Sequence, residues 1–118
     1  MSIMYKSTRG GDEISASQAI LQGLAPNGGL YVPTSIPALD KSFDELKEMS
    51  YQEVAYEVMK LYLTDFTDEE LSMCVEGAYK KGKFSSDRVA PLHKLTDSAE
   101  VLELWRGPTC AFKDMALQ

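Results

Sequence analysis

Ser50-Tyr51-Gln52-Glu53-Val54-Ala55-Tyr56-Glu57-Val58-Met59-Lys60-Leu61-Tyr62 is the stretch on which the fold turns. Its apolar residues Val54, Ala55, Val58, Met59, Leu61 and Tyr62 recur at three- and four-residue steps, so the spacing predicts one face of an amphipathic helix. The opening Ser50-Tyr51-Gln52-Glu53 is a capping box, in which the serine oxygen and the acid three residues on each satisfy an orphan amide. The same signature stands at Ser15-Ala16-Ser17-Gln18, Ser42-Phe43-Asp44-Glu45 and Thr67-Asp68-Glu69-Glu70. After Thr67 the positions Leu71, Val75, Ala78 and Tyr79 repeat the stripe, and helix is expected as far as Gly82. After Ser15 a short helix is expected from Ala16 to Gln22, stopped by Gly23. These stripes read as core, and the acidic residues between them as solvated faces.

Outward from the helices the chain turns to strands. Ile3-Met4-Tyr5-Lys6-Ser7-Thr8 mixes β-formers with polar residues before Arg9-Gly10-Gly11, a short strand running into a turn. Pro26 and Gly28-Gly29 force a bend, after which Leu30 to Val32 can extend. Towards the far end, Pro91-Leu92-His93-Lys94-Leu95 and Glu100-Val101-Leu102-Glu103-Leu104-Trp105 flank Thr96-Asp97-Ser98-Ala99 as a hairpin. Alternation puts Leu102 and Leu104 on one face and Val101, Glu103 and Trp105 on the other. The expected class is α+β: helices after Ser15, Ser50 and Thr67, with one small sheet built from the amino-terminal strand and the late hairpin.

Composition narrows the function. The hydrophobic fraction of 44% and charged fraction of 25% are those of a folding chain, and 118 residues suit one small domain or part of one. A net charge of -6 with scattered lysines and arginines disfavours phosphate-backbone binding, so no nucleic-acid partner is expected. No apolar run approaches the roughly 20 residues that cross a bilayer, and Met1 to Lys6 is too short for a signal-peptide core; the cytoplasm is the expected compartment. Cys74, Cys110 and the single His93 lie far apart without metal-ligand spacing, so no metal is expected and both thiols read as buried.

Chemistry has few places to sit. Gly28-Gly29 lacks the surrounding pattern of a phosphate loop, and Gly10-Gly11-Asp12-Glu13 resembles a signature acid loop without its aromatic residue; both read as turns. The strongest constellation is Gly107-Pro108-Thr109-Cys110-Ala111-Phe112-Lys113-Asp114, a tight turn delivering a lysine next to an aromatic ring. A lysine condenses with an aldehyde only when unprotonated, so such a role calls for burial or nearby positive charge, which a site beside Phe112 could supply. A helix is expected to open here, with Thr109 as its cap or Pro108 in its first turn, and the chain stops inside it, as a truncated polypeptide would. On pattern alone a solvated lysine remains the plainer reading.

Three segments taken together resemble threonine synthase: Ser7-Thr8-Arg9-Gly10, then Gly23-Leu24-Ala25-Pro26-Asn27-Gly28-Gly29-Leu30-Tyr31-Val32-Pro33, then Leu102 to Asp114 with G-P-T-x-A-F-K-D at its centre. The resemblance runs over essentially the whole chain. It implies the amino-terminal portion, residues 1-118, of a pyridoxal-phosphate (PLP) enzyme of the tryptophan-synthase-β-like type, an α/β fold called fold type II. The implied reaction takes O-phospho-L-homoserine and water to L-threonine and phosphate. Lys113 matches the family's cofactor lysine, which also shuttles protons, and Phe112 the aromatic that lies against the cofactor ring. Thr109 and Asp114 belong to the motif without an assigned role.

The resemblance places the cofactor's phosphate cradle beyond Gln118, so a chain of these residues alone is expected to be inactive and to bind PLP weakly if at all. Two alternatives stand beside this reading: a non-catalytic module that self-associates through apolar surface, and another fold type II PLP lyase.

Overall fold

The capping boxes hold. In a computed structural model, which describes residues 2–118, four helices open on them: α1 (Ala16–Gln22), α2 (Phe43–Leu46), α3 (Tyr51–Tyr62) and α4 (Asp68–Tyr79). At each start the Ser or Thr side chain accepts from the N3 amide while the N3 side chain reaches back to the cap amide. The Ser42 box yields only one turn, and α4 ends at Tyr79, three residues before Gly82.

The strands pair differently from expectation. β1 (Tyr5–Ser7) joins β2 (Tyr31–Pro33) antiparallel, with Tyr5 opposite Pro33 and Ser7 opposite Tyr31. The hairpin of β3 (Leu92–Thr96) and β4 (Ala99–Leu102) is a second, separate sheet, with a register shift between Lys94 and Thr96. The single sheet expected from the amino-terminal strand and the hairpin is therefore two sheets, although the α+β class stands. Proximity in sequence decides this. The Gly28 and Gly29 turn returns Leu30 beside Thr8, whose amide donates to the Leu30 carbonyl at 2.9 Å, before the helices intervene.

The core lies on one face of α4. Val75 and Tyr79 cluster with Phe84 and Val89, and Tyr51, Ala55, Tyr56 and Met59 of α3 pack against them together with Met115. Leu71 is buried on the same face. No residue of α3 is fully buried, because α4 covers only one side of it; Val58, read as core, is 40% exposed. The amino-terminal sheet is tied to the end of α3 by polar contacts. The Tyr5 hydroxyl donates to the Tyr62 carbonyl at 3.1 Å and the Ile3 amide to Thr64 Oγ1 at 3.0 Å.

The hairpin carries exposed residues on both faces, Leu92, Leu95 and Leu102 among them. Accordingly the radius of gyration, 16.3 Å, exceeds the about 13.5 Å of a compact domain of this length. No helix of the described residues is long and apolar enough to cross a membrane.

Candidate functional site

The turn that carries the lysine is anchored at both ends. At the entry, the Glu103 amide donates to the Pro91 carbonyl at 3.0 Å, and the Arg106 carbonyl accepts from the Ser85 amide at 2.8 Å. Glu103 is buried and holds the Arg106 guanidinium, whose Nε donates to Oε2 at 2.7 Å. At the exit stands α5 (Asp114–Leu117), four residues long. It is held to the core because the buried Tyr79 hydroxyl donates to the Met115 carbonyl at 2.6 Å.

Between these anchors the backbone is a run of turns, not the expected helix from Thr109. The Cys110 amide donates to the Gly107 carbonyl at 3.1 Å and the Asp114 amide to the Ala111 carbonyl at 3.0 Å. Cys110 sits at φ 59°, a left-handed conformation that breaks any helix through it. Thr109 caps nothing. Its amide and hydroxyl instead donate to Asp114, to Oδ2 at 2.8 Å and to Oδ1 at 2.7 Å. Lys113 is the N-cap residue of α5, so the helix starts after it instead of containing it.

Lys113 and Phe112 stand side by side, as the motif requires, but both are exposed, Phe112 by 66%. The desolvation expected from Phe112 is absent among the described residues. What the turn does provide is a place. Lys113 and Phe112 border an open groove of about 740 Å³ whose walls include Tyr51, Leu102, Leu104 and Met115. The alternation that set Leu102 and Leu104 on one face located two of these walls; Tyr51 comes from α3 by tertiary packing and carries no local signal.

A second concavity of about 750 Å³ lies among α2, α3 and α4, lined by Glu45, Glu48, Glu53, Glu57 and Glu76. Its lysine, Lys41, faces the Glu57 carboxylate at 3.9 Å. The Lys113 groove sets an amine without an ion pair among the described residues against apolar walls on the turn that carries the motif, so it is the candidate. Among the described residues no group of acids, cysteines and histidines could hold a metal ion. Cys74 and Cys110, read as buried, are exposed: Cys74 lies off the α4 core face and Cys110 at the tip of the turn.

The residue that sequence reasoning left without a role is Asp114. It is 3% exposed, and besides Thr109 its carboxylate accepts from Gln118 Nε2 at 3.0 Å. The Thr109 hydroxyl, chief among these donors, holds its carboxyl below the usual carboxylate range. The Thr109 to Asp114 spacing behind a glycine was the available signal.

Known proteins share this architecture. Threonine synthase of Schizosaccharomyces pombe is 42% identical over 120 residues, which span 98% of this chain and 23% of that protein. A protein of Rattus norvegicus named threonine synthase-like 2 is 35% identical over 117 residues, 96% of this chain and 24% of its own. The crystal structure of PLP-bound threonine synthase from Brucella melitensis superimposes with a TM-score of 0.83 at 37% identity, covering 96% of this chain and 25% of that one. The chain thus spans about a quarter of the length of these relatives. The family model described as the threonine synthase N terminus matches residues 4–79, more than half of the 118 residues, and the chain belongs to that family.

Proposed function

We propose that residues 1–118 serve as the amino-terminal portion of a PLP-dependent threonine synthase, a lyase that converts O-phospho-L-homoserine and water to L-threonine and phosphate. The observation that carries this reading is the position of Lys113, on a turn anchored at both ends, at the border of an apolar groove in a chain of this family. The residues present fit the amine-binding end of the cofactor: a primary amine, a neighbouring aromatic ring and walls of Leu102, Leu104 and Met115. When bound, PLP supplies the electron sink that stabilises negative charge at the substrate Cα.

The rest falls to this chain's own side chains. Lys113 Nζ would hold the cofactor at its aldehyde carbon, the carbonyl oxygen leaving as water, and the same amine, when free, would serve as the positioned base and acid for the substrate Cα proton. Phe112 would hold the cofactor ring at the groove, and the Leu102 and Leu104 walls would keep water from it. Neither Gly10-Gly11 nor Gly28-Gly29 borders the groove, in keeping with a phosphate cradle supplied by residues beyond Gln118. Two exposed free thiols suit a reducing compartment, the cytoplasm.

Borohydride reduction in the presence of PLP, followed by mass spectrometry, tests the assignment in the full-length protein, in which these residues are continued to the length of the relatives. Label at Lys113 is expected, together with phosphate release from O-phospho-L-homoserine. Label on other lysines only, or on none, would sink the assignment. Label at Lys113 without phosphate release would keep the cofactor site but point to a different substrate, a distinction that matters because the family also holds proteins named threonine synthase-like.

A second reading, self-association of the 118 residues, is favoured by the exposure of Leu92 and Leu95 on the hairpin and of Leu102 and Phe112 at the groove. Sedimentation of the isolated chain checks it: a monomer at tens of micromolar would rule it out.

A further inference from the structure

We propose that Asp114 is a positioning residue for Lys113: its carboxylate closes the turn from Thr109 and thereby sets where the neighbouring amine stands at the groove. This rests on the reading of Lys113 as the cofactor lysine. Three independent features of the turn lead to Asp114. The first is burial without an ionic partner. The side chain is 3% exposed, yet none of the ion pairs among the described residues involves it. A buried carboxylate is retained only where hydrogen bonds replace its lost water. Here the Thr109 amide, the Thr109 hydroxyl and Gln118 Nε2 do so at 2.8, 2.7 and 3.0 Å.

The second feature is the shape of what those bonds close. They span the segment in which Cys110 adopts φ 59°, a state that non-glycine residues reach only when their surroundings impose it. Phe112 and Lys113 follow inside the same closed ring, so their directions are fixed by the Thr109 clasp on one side and α5 on the other. The third is Gly107. A Cβ there would meet the Asp114 Cβ at 2.5 Å and Cγ at 2.8 Å, so the glycine is the space that the carboxylate occupies. Gly107, Thr109 and Asp114 thus form one device around the lysine. Since Asp114 meets neither the amine nor the groove in this arrangement, its effect on Lys113 passes through the backbone.

The test uses the full-length protein with PLP and borohydride, reading by mass spectrometry the label at Lys113 against the label at the exposed Lys6 and Lys94, with a thermal melt of each variant. Asp114→Ala is expected to lower label at Lys113 by about tenfold, as sub-ångström misplacement of a reacting group does, with Lys6 and Lys94 unaffected. Asp114→Asn, which keeps the size and a hydrogen-bonding head for Thr109, should recover most of it. Gly107→Ala should reproduce the loss, and Gly107→Ala combined with Asp114→Ala should be no worse than either alone, because both disturb one contact.

If Asp114→Ala loses its cooperative melt, Thr109→Val takes its place, expected to reduce label at Lys113 while the melt is kept. Undiminished label at Lys113 in Asp114→Ala, or in Thr109→Val where that variant stands in, overturns the proposal while leaving the cofactor lysine in place. So does Asp114→Asn as defective as Asp114→Ala, since charge and not geometry would then be at work. Absence of label at Lys113 in the unaltered protein would remove both readings together.

Discussion

The Tyr79 hydroxyl donates to the Met115 carbonyl across 36 residues of chain, joining the last turn of α4 to the short helix that follows the lysine. The Tyr79 ring is also held between Tyr51 and Phe84, at centroid distances of 5.0 and 6.0 Å. Tyr79→Phe keeps the ring packing and deletes only the donor. A loss of about 0.5–1.5 kcal/mol is expected by urea denaturation, the net value of one hydrogen bond.

Burial pushes the Tyr79 phenol above its ordinary 10.0. A raised acid of this kind supports the fold fully below the unfolded value, and that support is lost as pH rises through the folded one. Stability should therefore decline above about pH 10, and Tyr79→Phe should flatten part of that decline. The residual slope belongs to Tyr5 and Tyr51, whose phenols burial also raises. An unchanged alkaline limb in Tyr79→Phe would contradict this assignment.

The two long helices should respond unequally to truncation. Leu71 on α4 is 2% exposed, so Leu71→Ala leaves a cavity and should cost about 2–5 kcal/mol. Val58 on α3 belongs to an equally regular stripe but faces partly outward, so Val58→Ala should cost well under half as much. Equal losses in paired denaturation curves would mean that α3 is covered on its second side.

That contrast marks how far the sequence could be read. Helix starts at Ser15, Ser42, Ser50 and Thr67 were legible because a capping box is a contact across three residues, complete within the local sequence. The hairpin was legible for the same reason. Pairing of β1 with β2 instead of with the hairpin, and the half-exposure of Val58, depend on which surfaces meet, and periodicity is silent on that. At the site, Lys113 and Phe112 were singled out from the motif as expectations, but helix propensity hid the turns that carry them. The Asp114 clasp on Thr109 and the left-handed Cys110 override an otherwise helical run from Cys110 to Gln118.

Acid should act through the capping boxes. The Glu53 carboxyl lies below its ordinary 4.5, held there first by the Ser50 amide and then by the Ser50 hydroxyl. A depressed carboxyl supports the fold above its unfolded value, and the support is lost as pH falls through the folded one. Glu53→Gln keeps an acceptor for both donors but cannot titrate, so its thermal melts should flatten below the ordinary carboxylate value. Ser50→Ala should cost about 1 kcal/mol at neutral pH, the usual value of a lost N-cap. An unaltered acid limb in Glu53→Gln would remove this box from the account.

Cys110 permits a test of the lysine turn without touching its acid or its amine. At φ 59° a side chain crowds its own backbone by about 1–2 kcal/mol, and a β-branched one more, whereas glycine is free of the clash. Val89 tolerates φ 59° because it is buried at 2% exposure in the core cluster, where packing offsets the strain. Cys110 is exposed and has no such compensation. Cys110→Gly should therefore leave stability unchanged or raise it by up to about 1 kcal/mol, and Cys110→Val should lower it by about as much or more. The same pair should order the borohydride label at Lys113, with Cys110→Gly near the unaltered protein and Cys110→Val below it. A valine tolerated as well as glycine, in both melt and label, would mean that the left-handed turn at Cys110 does not set the position of the lysine.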